Sequence, residues 1–246
     1  MKESKILGVK INPLGWEEIL NLLEEKITAH KKVQVATVNN EFIVEAQKNE
    51  KFKDTLAQTF LSIPDSAGVV WALKKLHKIE AEKTPGVELF LKLCRLAQLK
   101  GYKIFLLGGA SGVGEAVKKK IEEQYLGIPE ISVLDGIEVS PDKNDPELLE
   151  KINAAEPQIL FAALGAPKQE LWIRNNIEHI DANIFVGIGG TLDYISGRVP
   201  RAPEWIRKIG LEWLFRLFQQ PSRFPRIFRA VIVFPIKILE EKYFGK

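Results

Sequence analysis

Three segments of the sequence place polar side chains directly after apolar runs that are predicted to be strands. They are Thr37-Val38-Asn39-Asn40, Ile63-Pro64-Asp65-Ser66 and the run from Leu164 to Glu170 (LGAPKQE). Each segment alone is also typical of an ordinary turn, because Asn, Asp, Pro and Gly dominate turns. Open parallel sheets bind ligands at the carboxyl ends of their strands, so the shared position of the three segments predicts one binding site.

Asp65 is the residue that we expect to act as a general base. It follows an apolar strand, where partial burial would raise the pKa of its carboxyl group. Glu170 and Asp193 are weaker candidates for the same role, because either could instead cap or brace local structure.

A glycine-rich run follows another predicted strand and opens a helix. Gly108, Gly112 and Gly114 match the GxxxGxG spacing of some nicotinamide-dependent reductases, and Asp135 follows the next strand as a ribose-binding carboxylate would. A purely structural turn, nucleotide binding and such a reductase all stay open here. No Tyr-x-x-x-Lys proton relay occurs, and the absence of GxxxxGK[ST] excludes a P-loop.

Metal and cofactor chemistry is not expected. The sequence has one cysteine, Cys94, no Asp-x-Asp, and three histidines that are not paired at ligand spacing. A diphosphate substrate would then have to be held by helix dipoles and arginines.

The elements that must position these residues alternate between apolar strands and amphipathic helices. Strands are predicted at Val33–Val38, Phe60–Ile63, Lys103–Leu107, Ile131–Leu134, Ile159–Leu164 and Ile184–Ile188. Helices are predicted at Trp16–Thr28, Glu41–Gln47, Ala67–Leu76, Val87–Leu99, Val113–Gln124, Pro146–Ala154 and Gln169–Asn176. This alternation predicts an α/β fold, Rossmann-like, with a largely parallel sheet and helices on both faces.

The end of the chain differs from the rest in charge and in aromatic content. The net charge is −4 over residues 1–197 and +7 over residues 198–246, which also hold nine of the 22 aromatic residues. We therefore predict an α/β core over residues 1–196 and a basic, aromatic-rich helical appendage over residues 197–246. The appendage is either a helical subdomain packed on the core or an amphipathic surface for an anionic membrane, and both can hold together.

The sequence also gives expectations about location and partners. No leader and no span of about 18 uncharged apolar residues is visible. We expect a cytoplasmic protein that is peripherally associated with the inner face of the cell membrane, without a nucleic-acid partner. A non-enzymatic membrane adaptor is one alternative class, and exposed apolar residues of the appendage leave a homo-oligomer open.

Several motifs, taken in order, resemble those of the WecG/TagA/CpsF glycosyltransferases over nearly the whole chain. They are Thr37-Val38-Asn39, Pro64-Asp65 before Gly68-Val69-Val70, Gly108-Gly109, the run from Gly165 to Glu170, Gly189-Gly190, Arg201-Ala202-Pro203 and the run from Leu211 to Leu217. The resemblance implies an inverting, metal-independent transferase. It would move N-acetylmannosamine from a UDP donor to the 4-hydroxyl of N-acetylglucosamine (GlcNAc) on undecaprenyl diphosphate, forming a β-1,4 linkage. A different UDP-sugar remains an alternative donor.

The resemblance also implies roles for individual residues. Asp65 would deprotonate the acceptor hydroxyl. The sugar pocket would be formed by Thr37, Asn39 and Gln169. The UDP would be contacted by Gly108, Gly109, Asp135 and Gly136. The diphosphate would be bound by Arg216, Arg223 and Arg226.

Three positions depart from the pattern of the family. Ser66 stands where relatives often have glycine, and Gln220 stands where Glu is commoner. Lys83 stands where an arginine is common. Lysine keeps the charge but loses the two-pronged guanidinium, so Lys83 could contact the diphosphate as a single charge only.

Overall fold

A six-stranded parallel sheet forms the centre of the molecule, in a computed structural model that describes residues 2–141, 144–208 and 210–245. Its strands are β3 (Val33–Val38), β4 (Leu61–Pro64), β5 (Ile104–Gly108), β6 (Ile131–Leu134), β7 (Ile159–Ala163) and β8 (Ile184–Gly187). They lie in the order β4-β3-β8-β7-β5-β6, and every neighbouring pair is parallel. Two further strands, β1 (Ser4–Ile6) and β2 (Val9–Ile11), form a separate antiparallel hairpin.

Helices connect the strands and then form the end of the chain. The α-helices of the core are α1 (Trp16–Thr28), α2 (Asn40–Ala46), α3 (Glu50–Gln58), α4 (Ala67–His77), α5 (Gly86–Lys100), α6 (Val113–Gln124), α7 (Pro146–Ala154), α8 (Lys168–Asn176) and α9 (Thr191–Ser196). Those of the appendage are α10 (Glu204–Lys208), α11 (Glu212–Gln219), α12 (Phe224–Phe228) and α13 (Phe234–Phe244), with a π-helical segment at Arg229–Val233 between the last two. The predicted α/β class, with a C-terminal helical stretch, is confirmed.

The sheet is buried on both faces, which explains its nearly continuous apolar strands. Along β5, Ile104 and Leu106 face the core cluster that includes α1, α5 and α6. Phe105 and Leu107 alternate with them and face a second cluster, which includes α7 and α8. Side chains alternate between the two faces of a strand, so both sides of the sheet must be covered by helices.

The appendage is anchored on the core by its last helix. Phe234 and Ile238 of α13 are fully buried in a cluster that also contains residues of β1, β2, α2 and α4. The backbone N–H of Leu7 donates to the Glu241 carboxylate at 3.1 Å, and Asn40 Nδ2 donates to the Ala230 carbonyl at 2.8 Å. This part of the appendage therefore packs on the core.

Over the residues that are described, no helix is both long and apolar enough to cross a bilayer.

Candidate active site

A cleft of about 330 Å³ opens at the carboxyl edge of the sheet, where β3, β4, β7 and β8 end and the appendage folds over them. From the core, it is lined by Thr37, Asn39, Asp65, Lys83 and Gln169. From the appendage, it is lined by Arg216, Arg223 and Arg226. Eight of the residues selected from the sequence thus lie around one cavity, although the chain separates the first from the last by almost its whole length.

Asp65 is held by the start of a helix. It directly follows β4, and its Oδ1 accepts a hydrogen bond from the backbone N–H of Gly86, the first residue of α5, at 2.6 Å. Desolvation raises the pKa of Asp65 to about 6, although the Gly86 hydrogen bond and the charges of Lys83 and Arg216 oppose that rise. The carboxylate is therefore mostly ionised at neutral pH and is more basic than an ordinary aspartate, as a general base should be.

The arginines of the appendage form a cluster of like charge. Arg216 lies with its guanidinium carbon 5.4 Å from the centroid of the Tyr194 ring, and it comes so close to Gly190 that a Cβ there would lie 3.0 Å from Nη2. Burial and the neighbouring charges of Arg216 and Arg226 lower the pKa of Arg223. Such a cluster is stabilised when an anion enters it.

The three arginines differ in how far they are already neutralised. Arg226 makes an ion pair with Glu41 at 2.8 Å. Within the described part of the chain, neither Arg216 nor Arg223 has an ion pair within 4.0 Å. Of the three arginines, Arg216 and Arg223 therefore keep a charge that no ion pair within 4.0 Å offsets among the described residues.

The predicted sugar-binding residues also hold the loops around them. Thr37 Oγ1 donates to the Gly187 carbonyl at 3.4 Å, and Asn39 Oδ1 accepts from the Phe42 N–H at the start of α2. Gln169 Oε1 accepts from the backbone N–H groups of Gly165 and Gly189, at 3.1 and 3.0 Å. These residues therefore shape the cleft as well as line it.

Four predicted residues do not line this cleft, namely Gly108, Gly109, Asp135 and Gly136. They form a neighbouring pair of turns after β5 and β6, joined by a hydrogen bond from Gly136 N–H to the Gly109 carbonyl at 3.1 Å. Asp135 Oδ2 accepts from Gly114 N–H at 2.8 Å, so this carboxylate already occupies the start of α6. Gly108 has a φ of +86°, and a Cβ there would lie 3.1 Å from the Ala163 carbonyl oxygen of β7, so the local backbone by itself favours glycine there.

The two weaker candidates for the base also lie outside the cleft. Glu170 is completely buried behind it, and Asp193 Oδ1 lies 3.8 Å from Arg198 Nη1. Two carboxylates that sequence reasoning missed do line the cleft: Glu41, which pairs with Arg226, and Glu212, which raises the pKa of Asp65. Glu212 lies within one of the recognised motifs, the run from Leu211 to Leu217, and that was the available signal.

Fold and site together define a class of protein: an α/β group-transfer enzyme with one basic carboxylate facing an arginine cluster, suited to a substrate that carries phosphate. The sequence model of the glycosyl transferase WecG/TagA/CpsF family matches residues 4–246, and the chain belongs to that family. This confirms the resemblance found in the motifs and favours a glycosyltransferase over the reductase considered from the glycine-rich run.

The names of similar proteins specify an activity more narrowly than the family does. Proteins of Staphylococcus aureus strains MRSA252, MW2 and NCTC 8325 / PS 47 are each 29% identical to this chain over 208 residues, which is 85% of this chain and 80% of theirs. Each is named N-acetylglucosaminyldiphosphoundecaprenol N-acetyl-beta-D-mannosaminyltransferase.

Proposed function

We propose that this glycosyltransferase moves N-acetylmannosamine from its UDP donor to the 4-hydroxyl of GlcNAc on undecaprenyl diphosphate, an early committed step of wall teichoic acid synthesis. The observation that carries the proposal is the single cleft that holds both Asp65 and the arginines of the appendage. The names of the S. aureus relatives support the choice of donor and acceptor.

In the proposed reaction, Asp65 takes the proton of the acceptor hydroxyl as its oxygen attacks the anomeric carbon of the donor sugar. The bond from that carbon to the diphosphate breaks, and inversion gives the β-1,4 linkage. UDP leaves with additional negative charge, which Arg216 and Arg223 stabilise from the opposite wall of the cleft. Lys83 adds positive charge on the core side, close enough to lower the pKa of Asp65.

In this proposal, the donor lies along the carboxyl edge of the sheet. Thr37, Asn39 and Gln169 would contact the sugar, since they line the cleft beside Asp65. The turns after β5 and β6, with Gly108, Gly109, Asp135 and Gly136, would contact the nucleoside. Their position at the same edge of the sheet, beyond β7, supports this assignment.

We also propose that the appendage binds the inner surface of the cell membrane, where the lipid-linked acceptor lies. Phe224, Phe228, Ile232 and Ile236 recur at every fourth residue and are 57, 46, 45 and 51% exposed, respectively. Ile227, Phe234 and Ile238, on the same stretch of chain, are instead buried against the rest of the protein. An exposed apolar face beside basic side chains is suited to an anionic bilayer.

The membrane proposal predicts a loss of binding when this face is made polar. In the triple variant Phe224→Ser, Phe228→Ser, Ile232→Ser, we expect affinity for vesicles that contain phosphatidylglycerol to fall about tenfold or more, because apolar area no longer leaves water on binding. Co-sedimentation with the vesicles measures it. Leu126→Ser is the matched control, since Leu126 is 79% exposed but lies on the core. Equal losses in both proteins would contradict a specific role for the appendage.

The pKa of Asp65 predicts how activity depends on pH. Since the base must be ionised, we expect kcat/KM to rise with pH through a midpoint of about 6 and then to level off. Initial rates of UDP release from about pH 3 to pH 9, at low donor concentration, measure this profile. A midpoint close to 4, the ordinary range of aspartate, would show that the carboxylate is not desolvated in the working enzyme.

The proposed function is tested by measuring UDP release with a short-chain GlcNAc-diphospholipid and a panel of UDP-sugars. We expect release with UDP-N-acetylmannosamine to exceed that with the other donors. Preference for another UDP-sugar would keep the reaction and change the donor. Vesicle binding without release from any donor would favour the membrane adaptor instead.

A further inference from the structure

A buried carboxyl group lies directly behind the cleft and has no part in the reaction as proposed. Glu170, on α8, is completely buried, and its Oε1 accepts a hydrogen bond from Gln169 Nε2 at 2.7 Å. Its Oε2 has no hydrogen-bond partner among the described residues. Burial raises the pKa of Glu170 to about 8, so the group is mostly neutral at pH 7.

Both ends of the Gln169 amide make hydrogen bonds within the protein. Gln169 Oε1 faces two donors, the backbone N–H groups of Gly165 and Gly189, while its nitrogen faces the Glu170 oxygen. A flipped amide would direct its own N–H groups at these two N–H groups. The backbone donors therefore set the orientation that ties the β7–α8 loop to the β8–α9 loop, and the Glu170 oxygen anchors the amide nitrogen.

Gly187, at the end of β8, leaves room for this arrangement because it has no side chain. A Cβ on Gly187 would collide with Glu170 Oε1 and would lie 2.6 Å from Gln169 Nε2. The Gly187 carbonyl in turn accepts from Thr37 Oγ1. The network thus joins the carboxyl ends of β3, β7 and β8, which carry the side of the cleft assigned to the sugar.

We propose that Glu170 is a positioning residue for glycosyl transfer, which fixes Gln169 and through it the two loops at the floor of the cleft. The expected effect on glycosyl transfer rests on the proposed function. The expected effect on the two loops does not depend on that function. It assigns no proton transfer to Glu170.

Two substitutions separate positioning from acid–base chemistry. Glu170→Met removes the acceptor at similar volume, and we expect kcat/KM to fall about tenfold or more because the amide of Gln169 loses its buried partner. Glu170→Gln keeps a carbonyl oxygen of the same reach, and we expect it to restore most of the activity with an unchanged pH profile. If the methionine variant does not fold, Glu170→Asp replaces it in the test, because its shorter side chain moves the oxygen away from Gln169 by one methylene.

Hydrogen exchange gives a readout that does not depend on turnover. We expect the amides of Gly165 and Gly189 to exchange faster in Glu170→Met or Glu170→Asp than in the wild type or Glu170→Gln. Asn176→Met is the matched control, because Asn176 is an equally buried polar residue of α8 whose amide donates instead to the Trp172 carbonyl. This control should leave both glycine amides protected.

The outcomes distinguish this inference from the proposed function. A Glu170→Gln protein as inactive as Glu170→Met would assign proton chemistry to Glu170 and overturn positioning. Unchanged exchange at both glycines in Glu170→Met would overturn it as well. A wild-type enzyme that releases no UDP would overturn the proposed function, while the exchange data would still decide whether Glu170 holds the loops.

Discussion

Replacement of Asp65 by asparagine is expected to lower kcat for glycosyl transfer by about 10²–10⁴, the usual contribution of a general base. Asparagine retains an oxygen that can accept the hydrogen bond from Gly86 N–H, so the loop after β4 should keep its position. What the variant loses is the ability to take a proton from the acceptor hydroxyl. UDP release measures the rate, and titration with UDP should give an affinity close to that of the wild type.

The stability of this variant gives an independent check. The pKa of Asp65 is higher in the folded protein, about 6, than its ordinary value of 3.8. The native state therefore holds this proton more tightly than the unfolded state, and stability is lost as pH rises from about 4 to 6. Above that range the ionised carboxylate opposes folding, and asparagine removes the effect. We expect the melting temperature of Asp65→Asn at pH 7.5 to equal or exceed that of the wild type.

The control for this prediction is Asp193→Asn, which changes a carboxylate outside the cleft. It should retain transfer. Full activity in Asp65→Asn, with loss in Asp193→Asn or Glu170→Gln, would move the base to one of those residues and contradict the assignment.

The sequence predicted the sheet well because its strands are buried on both faces and are therefore continuously apolar. Every predicted strand of the sheet is present within about two residues at its ends. The β1–β2 hairpin was missed because its strands are only three residues long and include Lys5 and Lys10. Helix α3 was missed because its apolar contribution to the core is limited to Phe52 and Leu56 in an otherwise polar segment.

The sequence predicted which residues belong to the site, but it did not predict most of the contacts between them. The rule that ligands bind at strand carboxyl ends selected Thr37 and Asp65, and the charge imbalance of the chain selected the appendage. Their meeting depends on how the appendage folds back, which is determined by buried contacts of Phe234 and Ile238 with helices far away in sequence. No local pattern encodes that contact.

Glu170 illustrates a second limit of sequence reasoning. A glutamate in the first turn of a helix is ordinarily exposed and favourable beside the helix dipole. Here α8 buries that position in the core, and the carboxyl accepts a hydrogen bond from Gln169. The same burial separates it from the cleft, so the choice of Asp65 over Glu170 as the base depends on side-chain direction, which a sequence does not show.

Replacement of Arg216 by glutamine is expected to lower kcat by about 10²–10³, the effect of removing one strong donor from a group on which charge develops. Arg216 makes no ion pair within 4.0 Å in the described chain, and its guanidinium lies beside Tyr194 and Gly190 at the cleft. Its charge therefore remains available to the departing diphosphate. Arg216→Lys keeps the charge but not the fork, so an intermediate loss is expected.

Point substitution is a sharper test of the appendage than truncation after Ser196. Truncation should also abolish transfer, but it would expose the apolar surface that Phe234 and Ile238 cover, and loss of activity would then have two causes. Arg198→Gln is the matched control, because Arg198 is an arginine outside the cleft. It should leave kcat within about twofold of the wild type, as surface substitutions usually do.

Arg216 also acts on the base, and this coupling gives the prediction a second measurable consequence. Its positive charge lowers the pKa of Asp65, so Arg216→Gln should raise that pKa and move the acid limb of kcat/KM above pH 6. The control Arg198→Gln should leave the limb in place. A large loss of kcat without movement of the limb would mean that Arg216 and Asp65 do not face each other in the free enzyme.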